Sequence, residues 1–216
     1  MVPSVELLAV TEVTGAKGLT SPTDLIEFSG RVDYGPKSVA KFGDPEIVGR
    51  WIESGHQSMI EMADAAFLIT CSRVVSHELV RHRIASYQQE SQRYVKYDDE
   101  TSDTLFYVPD AELSSKDAGY MRRVYAQALE SYKTLRASGV PAQIARYVLP
   151  NGTRTRIVMK ANLREWRHFL KLRCHSSAQP EMQIIANKIL EVLYGLYPVI
   201  FEDVYKEIKE GRRAVR

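Results

Sequence analysis

The segment from Ser76 to Tyr97, S-H-E-L-V-R-H-R-I-A-S-Y-Q-Q-E-S-Q-R-Y-V-K-Y, constrains this chain more than any other. Val75 and Leu79 stand four apart, a spacing that suits the buried face of a short helix. That helix should fade near Arg81–Arg83, where cations meet the negative end of its dipole favourably. Downstream, Tyr94, Val95, Lys96 and Tyr97 alternate as in a strand, which predicts that Ser91 and Arg93 project to one side. A lone R-H-R reads as a charged helix end on the surface. Here it is followed by Ser86, Ser91 and Arg93, so the segment offers a cationic corner and then a hydroxyl–guanidinium pair. Both suit phosphate oxygens, which guanidinium groups bind through paired hydrogen bonds.

The flanking sequence alternates helix and strand signals. Val5 to Val13 reads as a strand, and Ser21-Pro22-Thr23-Asp24 as a capped helix start with proline at the first helical position. Asp44-Pro45-Glu46 opens a second helix with Ile47, Trp51 and Ile52 on its apolar face, and Gly55 ends it just before His56. A histidine in that place reads equally as a cap on the last carbonyls. Ala65 to Cys71 is a buried strand feeding the central helix. Asp98 to Ser115 is polar and turn-rich, a surface connection or lid. Lys116 to Gly139 is the clearest helix, with Met121, Val124, Tyr125, Ala128, Leu129, Tyr132 and Leu135 at three-and-four spacing. Pro141 starts a short helix closed by Pro150, with Ile144 and Val148 inward and Arg146 on another side. Thr155 to Met159 alternates as a strand, and Asn162 with Glu165 forms a near capping box before Leu163, Trp166 and Leu170. Ser177 to Glu210 is helical, interrupted near Pro198, with Met182, Ile185, Ile189 and Leu193 as core. From Gly211 on, a frayed tail is expected.

A chain of 216 residues suits one domain, 1–216, with a substantial core. Its 29 basic and 27 acidic residues nearly balance, which argues against a nucleic-acid partner. No apolar stretch reaches the length of a membrane span, and no secretory signal opens the chain, so a cytoplasmic protein is expected. Cys71 and Cys174 stand alone, without zinc or disulfide spacing.

The run E-L-V-R-H-R-I-A-S-Y-Q-Q-E-S-Q-R-Y resembles the signature of the flavin-dependent thymidylate synthases. The resemblance extends over roughly Asp44 to Gln183 through G-H-Q-S-M-I-E, A-R-Y-V-L-P and N-L-R-E-W-R-H-F-L-K-L-R. Three positions depart from the family's usual residues: Met62 and Ser177 stand where histidine is common, and His168 where asparagine is. The resemblance implies an α+β fold, a mixed β-sheet flanked by long helices, and a homotetramer with active sites shared between subunits. It implies that dUMP, methylenetetrahydrofolate and NADPH give dTMP, tetrahydrofolate and NADP, with FAD as cofactor. That chemistry needs a hydride donor, which a flavin supplies and side chains do not. The resemblance places His56, Ser58, Glu61, Arg81, His82, Arg83, Ile84, Asn162, Arg164 and His168 by the flavin. It places Glu78, Arg81, Gln89, Glu90, Ser91, Gln92, Arg93, Arg146 and Arg173 by dUMP, and Ser91, Arg173 and His56 at the reacting centre. No metal ligand set is implied.

Other chemistries fit less well. The five histidines include no H-E-x-x-H, and His77 and His82 diverge on a helix, which disfavours a metal hydrolase. Cys174-His175 lacks the proline-cysteine-histidine setting of the non-flavin thymidylate synthases. A non-enzymatic RNA-binding module could use the arginines and the twelve tyrosines, but the sequence holds no recognisable RNP or KH pattern.

Overall fold

Ser21, Ser72, Ser114 and Asn162 mark where extended chain turns into helix. In the computed structural model, which describes residues 1–210, each holds the first turn of a helix. Their side-chain oxygens accept from the backbone N–H of Asp24, Val75, Asp117 and Glu165, at 3.1, 3.3, 3.2 and 2.8 Å. In chain order the elements are β1 (Ser4–Val10), α1 (Pro22–Val32), α2 (Pro36–Val39), α3 (Glu46–Glu53), β2 (Asp64–Ser72) and α4 (Arg73–Leu79). There follow β3 (Ser86–Gln89), α5 (Ser102–Leu105), α6 (Ser115–Ala137), α7 (Ala142–Ala145), β4 (Arg154–Asn162), α8 (Leu163–Arg173), α9 (Pro180–Leu196) and α10 (Pro198–Lys209). Short 3₁₀ turns intervene, among them Ser58–Met62 and Arg146–Val148. The tail from Gly211, expected to fray, lies outside the described residues.

The strands form one sheet in the order β1-β2-β4-β3. The N–H of Arg73, just past β2, donates to Thr153 just before β4 at 2.9 Å, and Leu163, just past β4, donates to Ala63 just before β2 at 2.9 Å. Thr11 pairs likewise with Asp64, and Glu90 with Arg156. End meets start at each pair, so the fold is of the expected α+β class but its sheet is antiparallel throughout and not mixed. The chain gathers into two compact units, one of residues 1–4, 68–82 and 87–158, the other of 5–67, 83–86 and 159 onward.

The core of the first unit joins Tyr97, Leu105, Phe106, Leu129, Tyr132 and Ala145. Two expectations change here. The stretch from Asp98 to Ser115 is not wholly superficial, because Leu105 and Phe106 are buried in that core. On α7 and the turn after it, Ala142 and Ala145 face inward while Ile144 and Val148 are exposed. The helix is only one turn long before it tightens to 3₁₀ geometry, so the four-residue period that suggested the opposite face never develops.

In the second unit α8 packs through Leu163, Trp166, Phe169 and Leu170, all fully buried, with Trp166 edge-on to Phe67 and Phe169. Its indole N–H is not wasted in that core; it donates to the Ala65 carbonyl at 3.0 Å. The expected stripe on α9, Met182, Ile185, Ile189 and Leu193, is fully buried, as are Ile200, Phe201 and Val204 on α10. Each such side chain contributes about 1.5–3 kcal/mol by leaving water. On α3 the buried pair is Val48 and Ile52.

One charge lies inside this apolar packing. The Arg167 side chain is 2% exposed and binds both carboxylate oxygens of Asp203 at 2.6 Å, as well as the Ile200 carbonyl. Burial alone would raise the Asp203 carboxyl, but the hydrogen bonds and charge of Arg167 outweigh it and hold its pKa below the usual value. Because the folded pKa is depressed, this contribution to stability is present above the ordinary carboxylate pKa and is lost as pH falls through the folded one. Asp203→Asn should strand the guanidinium and cost about 2 kcal/mol, less than for a fully enclosed pair because the carboxylate is partly in solvent. Urea unfolding at pH 7 and pH 3 checks both points: the difference between the two proteins should be large at pH 7 and shrink at pH 3.

Candidate active site

The short helix α4 buries Val75 and Leu79, as its spacing predicts, and ends where the motif begins. The N–H groups of Arg81 and His82 close a tightened last turn on the carbonyls of Glu78 and Leu79, at 3.2 and 3.0 Å. The Tyr87 hydroxyl, not singled out in the sequence, lies 2.7 Å from the Leu79 carbonyl and 2.9 Å from that of His82. Its single proton is shared between these two carbonyls at the helix end, of which that of Leu79 also accepts from the His82 N–H. With the backbone held, His82 is buried while Arg81 and Arg83 point to solvent.

After β3 the chain does not run on as a strand. The N–H groups of Tyr94 and Val95 both donate to the Ser91 carbonyl at 3.0 Å, and the Ser91 hydroxyl accepts from the N–H of Arg93 at 3.3 Å. This hydroxyl-capped turn replaces the expected extended Tyr94–Tyr97, so Ser91 and Arg93 are neighbours through a turn and not through a strand face. Around it the predicted nucleotide residues divide. Arg93 is exposed, and Glu78, Ser91 and Arg146 are half-buried. Gln89, Glu90 and Gln92 face inward: the Gln89 amide donates to the hydroxyls of Ser76 and Thr155 at 3.0 and 3.1 Å. The Glu90 carboxylate holds Arg156 at 2.9 Å and the Tyr97 hydroxyl at 3.3 Å. Arg146, on the 3₁₀ turn, donates to the Gln143 carbonyl at 3.2 Å. All of these belong to the first unit, as do Arg81 and His82.

The second unit carries His56, Ser58, Glu61, Arg83, Ile84, Asn162, Arg164, His168 and Arg173. The two readings of His56 are compatible. Gly55 takes a positive φ of 86°, and the N–H groups of Gly55 and His56 close α3 on Ile52 and Trp51, so the backbone caps and the imidazole stays exposed. Glu61, on the 3₁₀ turn, pairs with Arg164 at 2.5 Å, and His168 is exposed one turn further along α8. Arg173 ends α8 half-buried. Asp64, Arg83, Ile84, Ala85, Ser86, Lys160, Ala161 and Asn162 line an open pocket of about 410 Å³. Lys160 is held by Asp64 at 2.8 Å. Asn162 spends its oxygen as the α8 cap, which leaves its amide N–H₂ available to the pocket.

Charge is distributed unevenly. Arg31, Arg50, Arg122, Arg136, Arg154, Arg156, Arg164 and Arg167 all hold carboxylates. Among the described residues Arg81, Arg83 and Arg93 have no such partner, and the Arg93 guanidinium lies 5.7 Å from the centroid of the Tyr94 ring. Of the exposed guanidiniums left without a carboxylate among the described residues, three belong to the motif and a fourth, Arg123, lies over the ring of Tyr120. The thiols have a different character. Cys71 and Cys174 are buried, and burial pushes Cys174 up to about 12, so it stays protonated at neutral pH.

Comparison with known proteins gives one answer. A sequence model of the family described as thymidylate synthase complementing protein matches residues 17–199. The flavin-dependent thymidylate synthase of Geobacter sulfurreducens is 42% identical over 154 residues, 69% of this chain and 64% of the relative's length. The enzyme of that name from a Mycobacterium species is 36% identical, over 92% of this chain and 89% of its own. Among solved structures, a UMP/dUMP methylase from Streptomyces cacaoi, crystallised with 5-bromo-dUMP, matches with a TM-score of 0.79 and 26% identity, covering 94% of both chains. On the strength of these matches, and of a motif whose arginines are left open to solvent, the chain belongs to the thymidylate synthase complementing protein family, that of the flavin-dependent thymidylate synthases.

Proposed function

We propose that this protein converts dUMP to dTMP, with methylenetetrahydrofolate as carbon donor, NADPH as reductant and FAD as bound cofactor. The observation that carries the reading is the set of uncommitted guanidiniums, Arg81, Arg83 and Arg93, in a chain whose other arginines mostly hold carboxylates. Exposed cations without partners cost little in water and are ready for multiply charged anions. FAD and dUMP are two such anions.

The residues present fit a flavin nucleotide. The pocket on the second unit combines the cation Arg83 and the Lys160–Asp64 ion pair with the polar Ser86 and Asn162 and the apolar Ile84, Ala85 and Ala161. The flavin-side residues implied by the family resemblance also include Arg81 and His82 on the first unit and His56, Ser58, Glu61, Arg164 and His168 on the second. Bound FAD supplies the hydride that no side chain can donate. Ser91, Arg93 and Arg146 hold the dUMP phosphate, and Arg173 reaches the pyrimidine. The protein's task is placement: it orients two anions and neutralises their charge, and orientation of reactants is itself a large part of a rate enhancement. The reading extends to one domain over the whole chain, a homotetramer with shared active sites, and a cytoplasmic setting. Among the described residues no helix is long and apolar enough to cross a membrane.

The deciding assay is dTMP formation from dUMP, methylenetetrahydrofolate and NADPH by a yellow purified protein, and its disappearance when FAD is removed. In Arg81→Ala, loss of one charged phosphate contact of about 1.5–3 kcal/mol should weaken FAD roughly ten- to a hundredfold while circular dichroism stays native. Flavin absorbance of the purified variant measures it. Arg93→Ala should instead stay yellow and show its deficit in dUMP affinity; Ser91→Ala should cost less, about 1 kcal/mol, and retain turnover. Complete loss of turnover in Ser91→Ala with dUMP still bound would identify the hydroxyl as a nucleophile. Cys174→Ala should keep converting dUMP, because a buried thiol with a raised pKa offers no thiolate to attack the pyrimidine.

A further inference from the structure

Glu90 is held in an unusual way for a residue inside a ligand-binding motif. Its side chain is 6% exposed and both carboxylate oxygens are engaged. Its own N–H donates to the carbonyl of Arg156 at 2.8 Å, and the guanidinium of that same Arg156 binds its carboxylate at 2.9 Å. Main chain and side chain are thus fastened to one residue of β4. Seven residues later the chain is fastened again: Tyr97 is 1% exposed, its N–H points at the Tyr132 hydroxyl at 3.4 Å, and its own hydroxyl donates back to Glu90 at 3.3 Å. Between these two points lies the turn that carries Ser91 and Arg93.

We propose that Glu90, Tyr97 and Arg156 form a clamp that closes the 90–97 loop and so positions Ser91 and Arg93 for the phosphate of the nucleotide. Glu90 is then a positioning residue and not a ligand. This rests on the reading of Ser91 and Arg93 as the dUMP phosphate site. The physical case is loop closure. A loop tied at both ends has already given up the conformational freedom that phosphate binding would otherwise remove, so its ligands are preorganised. The clamp persists over the working pH range, because burial, and after it the charge of Glu90, pushes the Tyr97 hydroxyl up to about 12 and keeps it a donor. Arg156, whose side chain is 59% exposed, reaches the carboxylate from solvent and can be altered without opening the core.

The test compares Tyr97→Phe, Arg156→Gln, Glu90→Gln and Glu90→Ala as FAD-loaded proteins. It uses dUMP and deoxyuridine, which lacks the phosphate. Tyr97→Phe should raise KM for dUMP about tenfold, the loss of one hydrogen bond to a charged group, with the deficit in KM rather than kcat. Deoxyuridine turnover should change much less, since the clamp acts only through the phosphate ligands. Glu90→Gln should fall between wild type and Glu90→Ala, and Arg156→Gln should follow Tyr97→Phe. A merely structural role would lower the melting temperature and depress both substrates alike; that result, or unchanged KM for dUMP in both Tyr97→Phe and Arg156→Gln, overturns the proposal while leaving the dUMP site standing. If wild type itself shows no flavin absorbance change with dUMP, the functional reading fails and the clamp with it. Should Tyr97→Phe fold poorly, Arg156→Gln on the surface decides alone.

Discussion

The pairing of β2 with β4 is the constraint on which the remaining structure depends. Each strand passes without a loop into a helix whose first turn is capped by the strand's last residue: Ser72 leads β2 into α4, and Asn162 leads β4 into α8. Because a strand presents alternate residues to one face, the register of the pair decides which residues are buried as the helices begin. Thr155, Ile157, Met159 and Ala161 are buried along β4, so the residues between them are left for the other face and for the candidate site. A slip of one residue would invert that set and bury Arg156 and Lys160.

The helices add charge in two ways that the energetics keep apart. Arg167 is taken out of water and is tolerated because Asp203 and the Ile200 carbonyl meet it inside. Stranding such a charge is far more costly than leaving a cation in solvent. Arg81, Arg83 and Arg93 are kept in solvent and given no carboxylate among the described residues, which leaves their hydrogen-bonding capacity for a ligand. The fold therefore uses its acids where it needs to bury or fasten basic residues and gives none to these three guanidiniums. The near balance of acidic and basic residues over the whole chain conceals this local asymmetry.

Rigid support comes from residues with little chemistry of their own. Tyr87 completes the end of α4, Gln89 ties β3 to Ser76 and Thr155, and Tyr97 closes the loop after it. A hydroxyl or amide buried against two partners stabilises a single arrangement, because any other would leave a polar group unsatisfied. Neither tyrosine need touch a ligand for the exposed side chains nearby to be well placed.

By itself the sequence determined what depends on local geometry: the caps at Ser21 and Asn162, the Pro22 start, the buried faces of α4 and α9, the stop at Gly55, and the motif whose arginines stay exposed. It also carried the family, because R-H-R followed at fixed distance by Ser91 and Arg93 is specific enough to read. Only the tertiary structure decided which way the motif's other residues face. Glu90 turns inward because Arg156, 66 residues away, meets it, and Glu61 is engaged because Arg164 lies 103 residues on. The alternation of Tyr94–Tyr97 suggested a strand, but no neighbouring strand pairs with it, and the Ser91 hydroxyl and carbonyl draw the backbone into a turn instead. Ile144 and Val148 read as core from their spacing and are exposed, because the helix that would align them lasts a single turn. Periodicity reports what one segment prefers; burial is settled by partners distant in the chain, and those no local pattern contains.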